Sequence, residues 1–288
     1  VCCLTFDGDL VRTLLETVFA GMDDESAVMR VPSERSKGMS KTRARSEVKL
    51  ESLRSVRFLG RGGFGSVALV TEVSKPHVQY ALKKMSKGLI KESEMQQQVC
   101  WERDLLLMVD SPFIIRLYRT FRDSTFVYFL MEAALGGDLY KLLRSRPELF
   151  NADQPKGWNT GFYVACIILG LEHMHERHIV FRDLKPENVL LDARGYGKLC
   201  DMGFARFVLG KTNTLAGTPE YMAPELIQFP HAHDMKVDWW SLGVLTFELS
   251  SGQTPFEDEG VADPHEKLLA IHRSQSKGEP RYPFGCTS

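Results

Sequence analysis

The sequence predicts an α+β fold with two lobes and a cleft between them. Residues 54–85 alternate between apolar and polar positions around a glycine-rich turn, which is typical of β-strands. Later segments, beginning with 161–178, are apolar on most sides over helical length, which is typical of buried helices. A chain of 288 residues with 43% hydrophobic content can also form a sizeable core.

Composition excludes several classes of protein. The formal net charge of −1 gives no overall attraction to nucleic acid, so we expect no nucleic-acid partner. No apolar run approaches the roughly 20 residues of a membrane span. The six cysteines form no C-x-x-C pair, and the opening VCCLTF lacks both methionine and the basic start of a signal peptide. We therefore expect a cytoplasmic protein with reduced thiols, cut from a longer polypeptide.

The chain divides into three segments. Apolar residues at helical spacing predict an amphipathic helix over 10–19, within a first segment of residues 1–20. Residues 21–49 are polar and mixed in charge, which is typical of a linker. A new domain begins near Leu50 and runs to residue 288, with a first lobe to about residue 133 and a second from about 134.

Within this domain, Glu92 to Val109 is predicted to form one helix, ending before Ser111-Pro112. The run FVYFLME is predicted to form a strand that stops at Gly136-Gly137.

Gly60, Gly62 and Gly65 form a G-x-G-x-x-G-x-V pattern in LGRGGFGSVALV. A second strand rather than a helix follows them, so they are predicted to lie at a hairpin tip. Glycines there allow backbone N–H groups to approach phosphates closely. An ordinary flexible hairpin is the alternative.

Lys83 follows on the next strand, in YALKKM, where its ammonium could reach nucleotide phosphates. Glu102, on the following helix, is its natural partner. Each residue taken alone could equally be a solvated surface charge.

The strongest motif is HIVFRDLKPENVLL, which holds Asp183, Lys185 and Asn188. This spacing predicts a loop in which a carboxylate, an ammonium and a carboxamide converge on a transferring phosphate. A solvated charged turn is the alternative.

Together with Asp201-Met202-Gly203, GTPEYMAPE at 217–225 and DWWSLG at 238–243, these motifs resemble eukaryotic-type protein kinases over residues 54–285. YALKKM, GTPEYMAPE and DWW resemble the AGC group, and SPFIIRLYRTFRDSTFVYFLMEAALGGDLY is similar to the cyclic-GMP-dependent protein kinases. The resemblance implies a small β-rich N-lobe, a larger helical C-lobe and an ATP-dependent serine/threonine kinase, a transferase.

The resemblance also implies roles for the motif residues. Asp183 would orient the substrate hydroxyl and accept its proton, and Lys185 would stabilise the moving γ-phosphoryl group. Asn188 and Asp201 would hold magnesium. Adenine would lie between Val67 and Ala81 on one side and Leu190 on the other, with Met131 as gatekeeper. The ATP-binding set comprises Leu59, Gly60, Gly62, Gly65, Val67, Ala81, Lys83, Glu102, Met131, Glu132, Ala134, Asp138 and Leu190. Packing that supports the active state would run through Leu106, Leu117, Phe181 and Met202.

Thr214 matches the activation-loop phosphorylation site of the AGC group, and Arg182 and Arg206 could pair with its phosphate. Gln98 stands where relatives often have a basic phosphate ligand, which puts that helix's coupling to phosphorylation in doubt. An unmodified threonine is the alternative.

Substrate recognition is also implied. Asp138, Glu187 and Glu248 match positions that read upstream arginines in basophilic relatives, and Thr218 is expected to contact the substrate. We therefore expect protein substrates with Arg or Lys before the acceptor.

The N-terminal segment resembles the last strand and following helix of a cyclic-nucleotide-binding domain, although an unrelated strand-helix piece fits nearly as well. A cyclic nucleotide bound further upstream would then regulate the whole protein. Arg43 lies three residues before Ser46, so the linker could carry a self-substrate or inhibitory segment; a solvated basic linker is the alternative.

The end of the chain, RYPFGCTS, precedes the point where further helices complete the C-lobe in the family, so we expect a truncated lobe. One of those helices carries the arginine that pairs with the buried glutamate matching Glu225, and its loss would cost stability. A nucleotide-binding pseudokinase or scaffold fragment is therefore the alternative to an active kinase.

Overall fold

The computed structural model describes residues 48–150, 158–256, 261 and 263–278. The N-terminal helix, nearly all of the linker, Ser46 and the final RYPFGCTS lie outside the described residues. Those described form a β-rich lobe followed by a helix-rich lobe, which confirms the predicted α+β class.

The first lobe is built on one antiparallel sheet. Its strands are β1 (Leu53–Gly62), β2 (Gly65–Glu72), β3 (Lys75–Ser86), β4 (Leu117–Arg122) and β5 (Phe126–Glu132), in the order β1-β2-β3-β5-β4. Helices α1 (Lys87–Glu92) and α2 (Gln96–Met108) lie between β3 and β4. The glycine-rich turn joins β1 to β2, as predicted.

The helix predicted from Glu92 to Val109 is confirmed over Gln96–Met108 as α2, but its predicted start was wrong, because Glu92 ends the separate helix α1. The Ser86 hydroxyl caps α1 by accepting from the Leu89 N–H at 3.4 Å, and Ile90 anchors the helix in the core. Glu94 then takes a φ of 55°, which breaks the helical path before α2 begins. Neither glycine nor proline marks this break, so the sequence pattern does not reveal it. The strand predicted over FVYFLME is confirmed as β5, although it ends at Glu132, ahead of the Gly136-Gly137 pair.

The second lobe contains α3 (Leu139–Ser145), α4 (Trp158–His175), α5 (Pro224–Ile227), α6 (Lys236–Ser251) and α7 (Pro264–Lys277). Short antiparallel pairs join β6 (Ile179–Val180) to β9 (Arg206–Phe207) and β7 (Val189–Leu191) to β8 (Gly197–Leu199). These two ribbons carry the loops that bear the catalytic motifs.

Helix α4 is the central element of the second lobe and confirms the buried helix predicted from the sequence. Cys166, Leu171 and Met174 on this helix are fully enclosed. One apolar cluster continues from α4 through Phe181 and into α2 of the first lobe. Among the described residues, no helix combines the length and the apolar character needed to cross a membrane.

Candidate active site

An ion pair joins the sheet of the first lobe to helix α2. Lys83 Nζ on β3 lies 2.7 Å from Glu102 Oε1, and Glu102 is only 5% exposed. Burial by itself would lower the pKa of Lys83, but the nearby carboxylates of Glu102 and Asp201 raise it. The lysine is therefore held charged at the mouth of the cleft. The sequence predicted this pair.

A fully buried carboxylate shapes the loop after β6. Asp238, on α6, accepts the N–H groups of Phe181 and Arg182 at 2.8 Å each, and its carboxylate lies 2.7 Å from His175 Nε2. Arg182 has a φ of 68°, a conformation that is unfavourable for residues other than glycine. The two hydrogen bonds to Asp238 stabilise it. This anchoring presents Asp183 to the cleft.

Three polar side chains meet around the Asp183 carboxylate. Asn188 Nδ2 donates to Asp183 Oδ2 at 2.8 Å, Lys185 Nζ lies 3.0 Å from the same oxygen, and the Thr218 hydroxyl donates to Oδ1 at 2.6 Å. Lys185 also donates to Thr218 Oγ1 at 2.8 Å. The carboxylate is thus fixed in orientation, and an ammonium lies beside it. The sequence predicted that Asp183, Lys185 and Asn188 lie in one loop. Their contact with Thr218 depends on a later segment of the chain folding back onto that loop.

Gly217 allows that return. Its φ is +123°, and a Cβ at this position would lie 2.5 Å from the Arg182 carbonyl oxygen. Only glycine fits such a close approach. The segment that carries Thr218 can therefore pack directly against the Asp183 loop.

Asp201 follows β8 and faces solvent, with a φ of 60°. Its Oδ1 accepts the Gly203 N–H at 3.1 Å, while Met202 between them is buried in the core. The Cys200 N–H donates to the Asn188 carbonyl at 3.0 Å, so the two predicted magnesium-binding residues lie on directly connected segments.

The expected adenine-binding residues line the junction of the lobes. Ala81 on β3 pairs with Met131 on β5, and Leu190 on β7 pairs with Asp138 across the cleft floor. Val67 lies beside Lys83 on the neighbouring strand, and Leu59 on β1 is exposed. The Glu132 backbone N–H already donates to the Arg116 carbonyl at 2.9 Å. Of the Glu132 backbone groups, it is therefore the carbonyl that could accept a hydrogen bond from the edge of a bound base.

Residues 53–282 match the protein kinase domain family. The chain belongs to this family. Human cGMP-dependent protein kinase 2 is 45% identical over 208 residues, which cover 72% of this chain and 26% of the relative. Isozyme 1 of cGMP-dependent protein kinase from Drosophila melanogaster is 41% identical over 280 residues, covering 93% of this chain and 35% of the relative. The enzyme of that name from Toxoplasma gondii is 41% identical over 241 residues, 84% of this chain and 23% of the relative. The chain thus spans about a quarter to a third of the length of these relatives.

Protein kinase domains use ATP and typically Mg²⁺, and the residues present fit both. A Cβ on Gly60 or Gly62 would meet nothing within 4 Å, so the space beside this turn is open. Within the described part of the chain, no three His, Cys, Asp or Glu side chains cluster as a metal cage. Mg²⁺ is normally held by one or two carboxylates plus substrate phosphates, so a single carboxylate with a carboxamide oxygen is an appropriate donor set.

Two arginines of the kinase domain lie near each other, and one of them, Arg182, contacts Thr214. Arg182 donates through Nη1 to the Thr214 carbonyl at 3.3 Å and through Nε to the Phe204 carbonyl at 2.8 Å. Burial and the charge of Arg206 lower the pKa of Arg182 to about 10. Arg206 Nη1 is buried without a hydrogen-bond partner, and Thr214 itself is exposed. Two neighbouring guanidinium groups, one of them bonded to the backbone of an exposed threonine, form an environment suited to an anion.

Acidic residues surround Tyr221 at the other side of the kinase cleft. The Tyr221 hydroxyl donates to the buried Glu248 carboxylate. Burial, and then the nearby charge of Glu187, raise the pKa of Glu248. Asp138 is placed differently, because it caps α3 through the Lys141 N–H at 2.7 Å and pairs with the Lys141 ammonium at 2.8 Å.

Glu225, which the family resemblance pairs with an arginine from a later helix, is solvent-exposed in the first turn of α5 among the described residues.

Sequence reasoning missed two residues around the kinase cleft, Trp101 and Lys198, and did not predict the partner of Gln98. Trp101 stacks on Arg206, Gln98 bonds to the backbone of Gly203, and Lys198 bonds to Glu132. Each joins positions far apart in the chain, and the alternation of β8 gives no sign that its lysine is buried.

Proposed function

We propose that this chain is the catalytic domain of a serine/threonine protein kinase, extending from about residue 50 with an N-lobe to about residue 133 and a C-lobe from 134. The reaction is transfer of the γ-phosphoryl group of ATP to a protein hydroxyl. The observation that carries the proposal is the Asp183 carboxylate, held in one orientation by Asn188, Lys185 and Thr218.

Asp183 acts on the acceptor hydroxyl. With each carboxylate oxygen already bonded, the group cannot rotate, and an incoming hydroxyl finds an acceptor in a fixed direction. Asp183 orients that hydroxyl and takes its proton as the oxygen attacks the phosphorus. Lys185, beside it, stabilises charge on the transferring phosphoryl oxygens.

Lys83 and Glu102 act on the nucleotide. Lys83 binds the α- and β-phosphates, and Glu102 holds the ammonium where they arrive. Asn188 and Asp201 supply the oxygen ligands for magnesium. The bound metal neutralises negative charge on the phosphates, a contribution that protein ammonium groups complement.

The nucleotide's base and sugar bind at the junction of the lobes. Val67 and Ala81 cover one face of adenine and Leu190 the other, with Met131 behind it. The remaining contacts come from Leu59, Gly60, Gly62, Gly65, Glu132, Ala134 and Asp138. The support is the pairing of Ala81 with Met131 and of Leu190 with Asp138, together with the open space beside the glycine turn.

Phosphorylation of Thr214 is proposed to strengthen this arrangement. A phosphate adds roughly −1.5 to −2 charge, which the paired Arg182 and Arg206 can neutralise. Charge-assisted bonds to a phosphate would also satisfy the orphaned Arg206 nitrogen.

We further propose that substrates carry Arg or Lys before the acceptor residue. Glu187 and Glu248 are neighbouring acids whose mutual repulsion a guanidinium would relieve. Asp138 contributes less, since Lys141 already pairs with it. A peptide library with varied upstream residues tests this proposal. No preference for Arg over Ala would overturn it.

Regulation by a cyclic nucleotide is proposed for the whole protein, because the relatives are named cGMP-dependent protein kinases. The binding region would lie outside the kinase domain, and we expect the whole protein in the cytosol. Activity of the full-length protein with and without cGMP or cAMP tests this. Equal rates in all three conditions would overturn it.

The kinase activity is tested by incubating the chain with Mg²⁺, γ-labelled ATP and an Arg-containing peptide. We expect label on serine or threonine, and none with Asp183→Ala. If the wild-type chain binds ATP yet transfers no label in either phosphorylation state of Thr214, the pseudokinase alternative is correct. All three charged residues that the reaction needs are present, namely Lys83, Asp183 and Asp201. Their presence favours the active enzyme.

A further inference from the structure

One face of α2 holds three residues that reach other parts of the domain. Gln98, Trp101 and Glu102 stand at positions i, i+3 and i+4, which place them on the same side of a helix. Glu102 meets Lys83, as described above. The other two residues contact the segment between Asp201 and Arg206.

The first of these contacts is a hydrogen bond. Gln98 Nε2 donates to the carbonyl oxygen of Gly203, a residue whose own N–H binds the Asp201 carboxylate. The neutral amide thus fixes α2 to the turn that carries Asp201. A neutral amide is sufficient for this contact, because the partner is a backbone carbonyl that only needs a donor.

The second contact is a cation–π interaction. The guanidinium of Arg206 lies 3.5 Å from the centre of a Trp101 ring, well inside the range of an attractive contact. Arg206 stands on β9, and its strand partner Val180 lies three residues before Asp183. The contact therefore links α2 to the ribbon that precedes the catalytic loop.

Neither contact involves Thr214. Trp101 covers one face of the Arg206 guanidinium and leaves its in-plane N–H groups available for an anion. A phosphate on Thr214 would add to this arrangement without displacing it.

Resting on the proposed kinase function, we infer that Gln98 and Trp101 are positioning residues that hold α2, and with it Glu102, in place without a phosphate on Thr214. The unphosphorylated enzyme is then already largely assembled. Phosphorylation modulates its activity and is not required for it.

The test compares the full chain carrying Thr214→Ala with the same chain also carrying Gln98→Leu or Trp101→Leu. Losing a neutral hydrogen bond or a cation–π contact should lower kcat about 3–10-fold in each variant, because either contact has that order of strength. Gln97→Leu is the matched control, since Gln97 is the exposed neighbour of Gln98. Trp101→Phe retains an aromatic face and should recover most of the rate.

Thermal unfolding verifies that each variant folds, and hydrogen exchange of the α2 amides reports on positioning without activity. We expect faster exchange in α2 for Gln98→Leu and Trp101→Leu, with the Gln97→Leu control unchanged. The inference is overturned if exchange and kcat match those of the parent chain. It is also overturned if Thr214→Ala alone lowers kcat more than about 100-fold, since the phosphate would then be indispensable.

The hydrogen-exchange result separates this inference from the proposed function. If neither the phosphorylated nor the unphosphorylated wild type transfers phosphate, the kinase proposal fails. Faster α2 exchange in the two variants would still support the positioning contacts in that case.

Discussion

At the scale of single residues, Met202 stands where a phenylalanine is expected between Asp201 and Gly203. Its side chain is 1% exposed and belongs to the same apolar cluster as Leu106, Leu117 and Phe181. The acidic and glycine positions are unaffected, since Asp201 still accepts the Gly203 N–H. Methionine is an adaptable filler of core space, so it changes the packing and leaves the charge in place.

Met202→Phe is therefore expected to preserve the metal requirement. Swaps between apolar side chains of similar volume usually cost less than about 1.5 kcal/mol of unfolding free energy. We expect the thermal midpoint to shift by a few degrees and the dependence of kcat on Mg²⁺ concentration to be unchanged. A new or lost metal dependence would show that Met202 does more than pack.

At the scale of elements, the motifs predicted which residues meet, and the structure adds why the backbone permits it. Lys83, Asp183 and Asn188 could be chosen from sequence because fixed spacings on strands and loops bring them together. Contacts such as Trp101 with Arg206 could not be chosen, because two separate elements must first dock. The split into α1 and α2 also escaped prediction, since its cause is a single residue in an unusual conformation.

The four glycines of the first hairpin look equivalent in sequence but differ in the structure. A Cβ at Gly65 would lie 1.9 Å from the Lys84 carbonyl oxygen, whereas one at Gly60, Gly62 or Gly63 would meet nothing within 4 Å. Gly65 is thus required by the pairing of β2 with β3. The others leave room for a ligand.

Gly65→Ala should consequently lower the free energy of unfolding by about 1–3 kcal/mol, the usual cost of overpacking. Chemical denaturation measures this change. Gly63→Ala is the control, because it lies on the same turn in open space, and we expect its stability to stay within about 0.5 kcal/mol of wild type. Equal stability of the two variants would contradict the steric role of Gly65.

At the scale of the whole molecule, the connection between α2 and β4 ties the lobes together. Leu199 on β8 exchanges backbone hydrogen bonds with Phe113 and Ile115, at 2.8 and 2.9 Å. Next to it, Lys198 donates to the Pro112 carbonyl at 2.6 Å and lies 2.9 Å from Glu132 Oε1. The buried Lys198 side chain thus bonds both to the connection between α2 and β4 and to the end of β5.

Lys198→Met should remove this link while filling most of the same volume. It leaves the Glu132 carboxylate and the Pro112 carbonyl without their donor, so we expect a loss of about 1–3 kcal/mol in unfolding free energy. Lys141→Met is the control, because the Lys141 side chain is 78% exposed and its pair with Asp138 should contribute less than about 1 kcal/mol. If the two variants lose the same unfolding free energy, the buried Lys198 contacts contribute no more to stability than the contact of Lys141 does.

The central claim is that Asp183 performs the chemistry on a nucleotide that other residues bind. The most direct measurement compares wild type with Asp183→Ala for both phosphate transfer and Mg²⁺·ATP affinity, with folding checked by thermal unfolding. The account predicts a kcat lower by about 10²–10⁴-fold, the usual worth of a positioned proton acceptor, with ATP affinity nearly unchanged. A folded Asp183→Ala variant that transfers phosphate at the wild-type rate would contradict it.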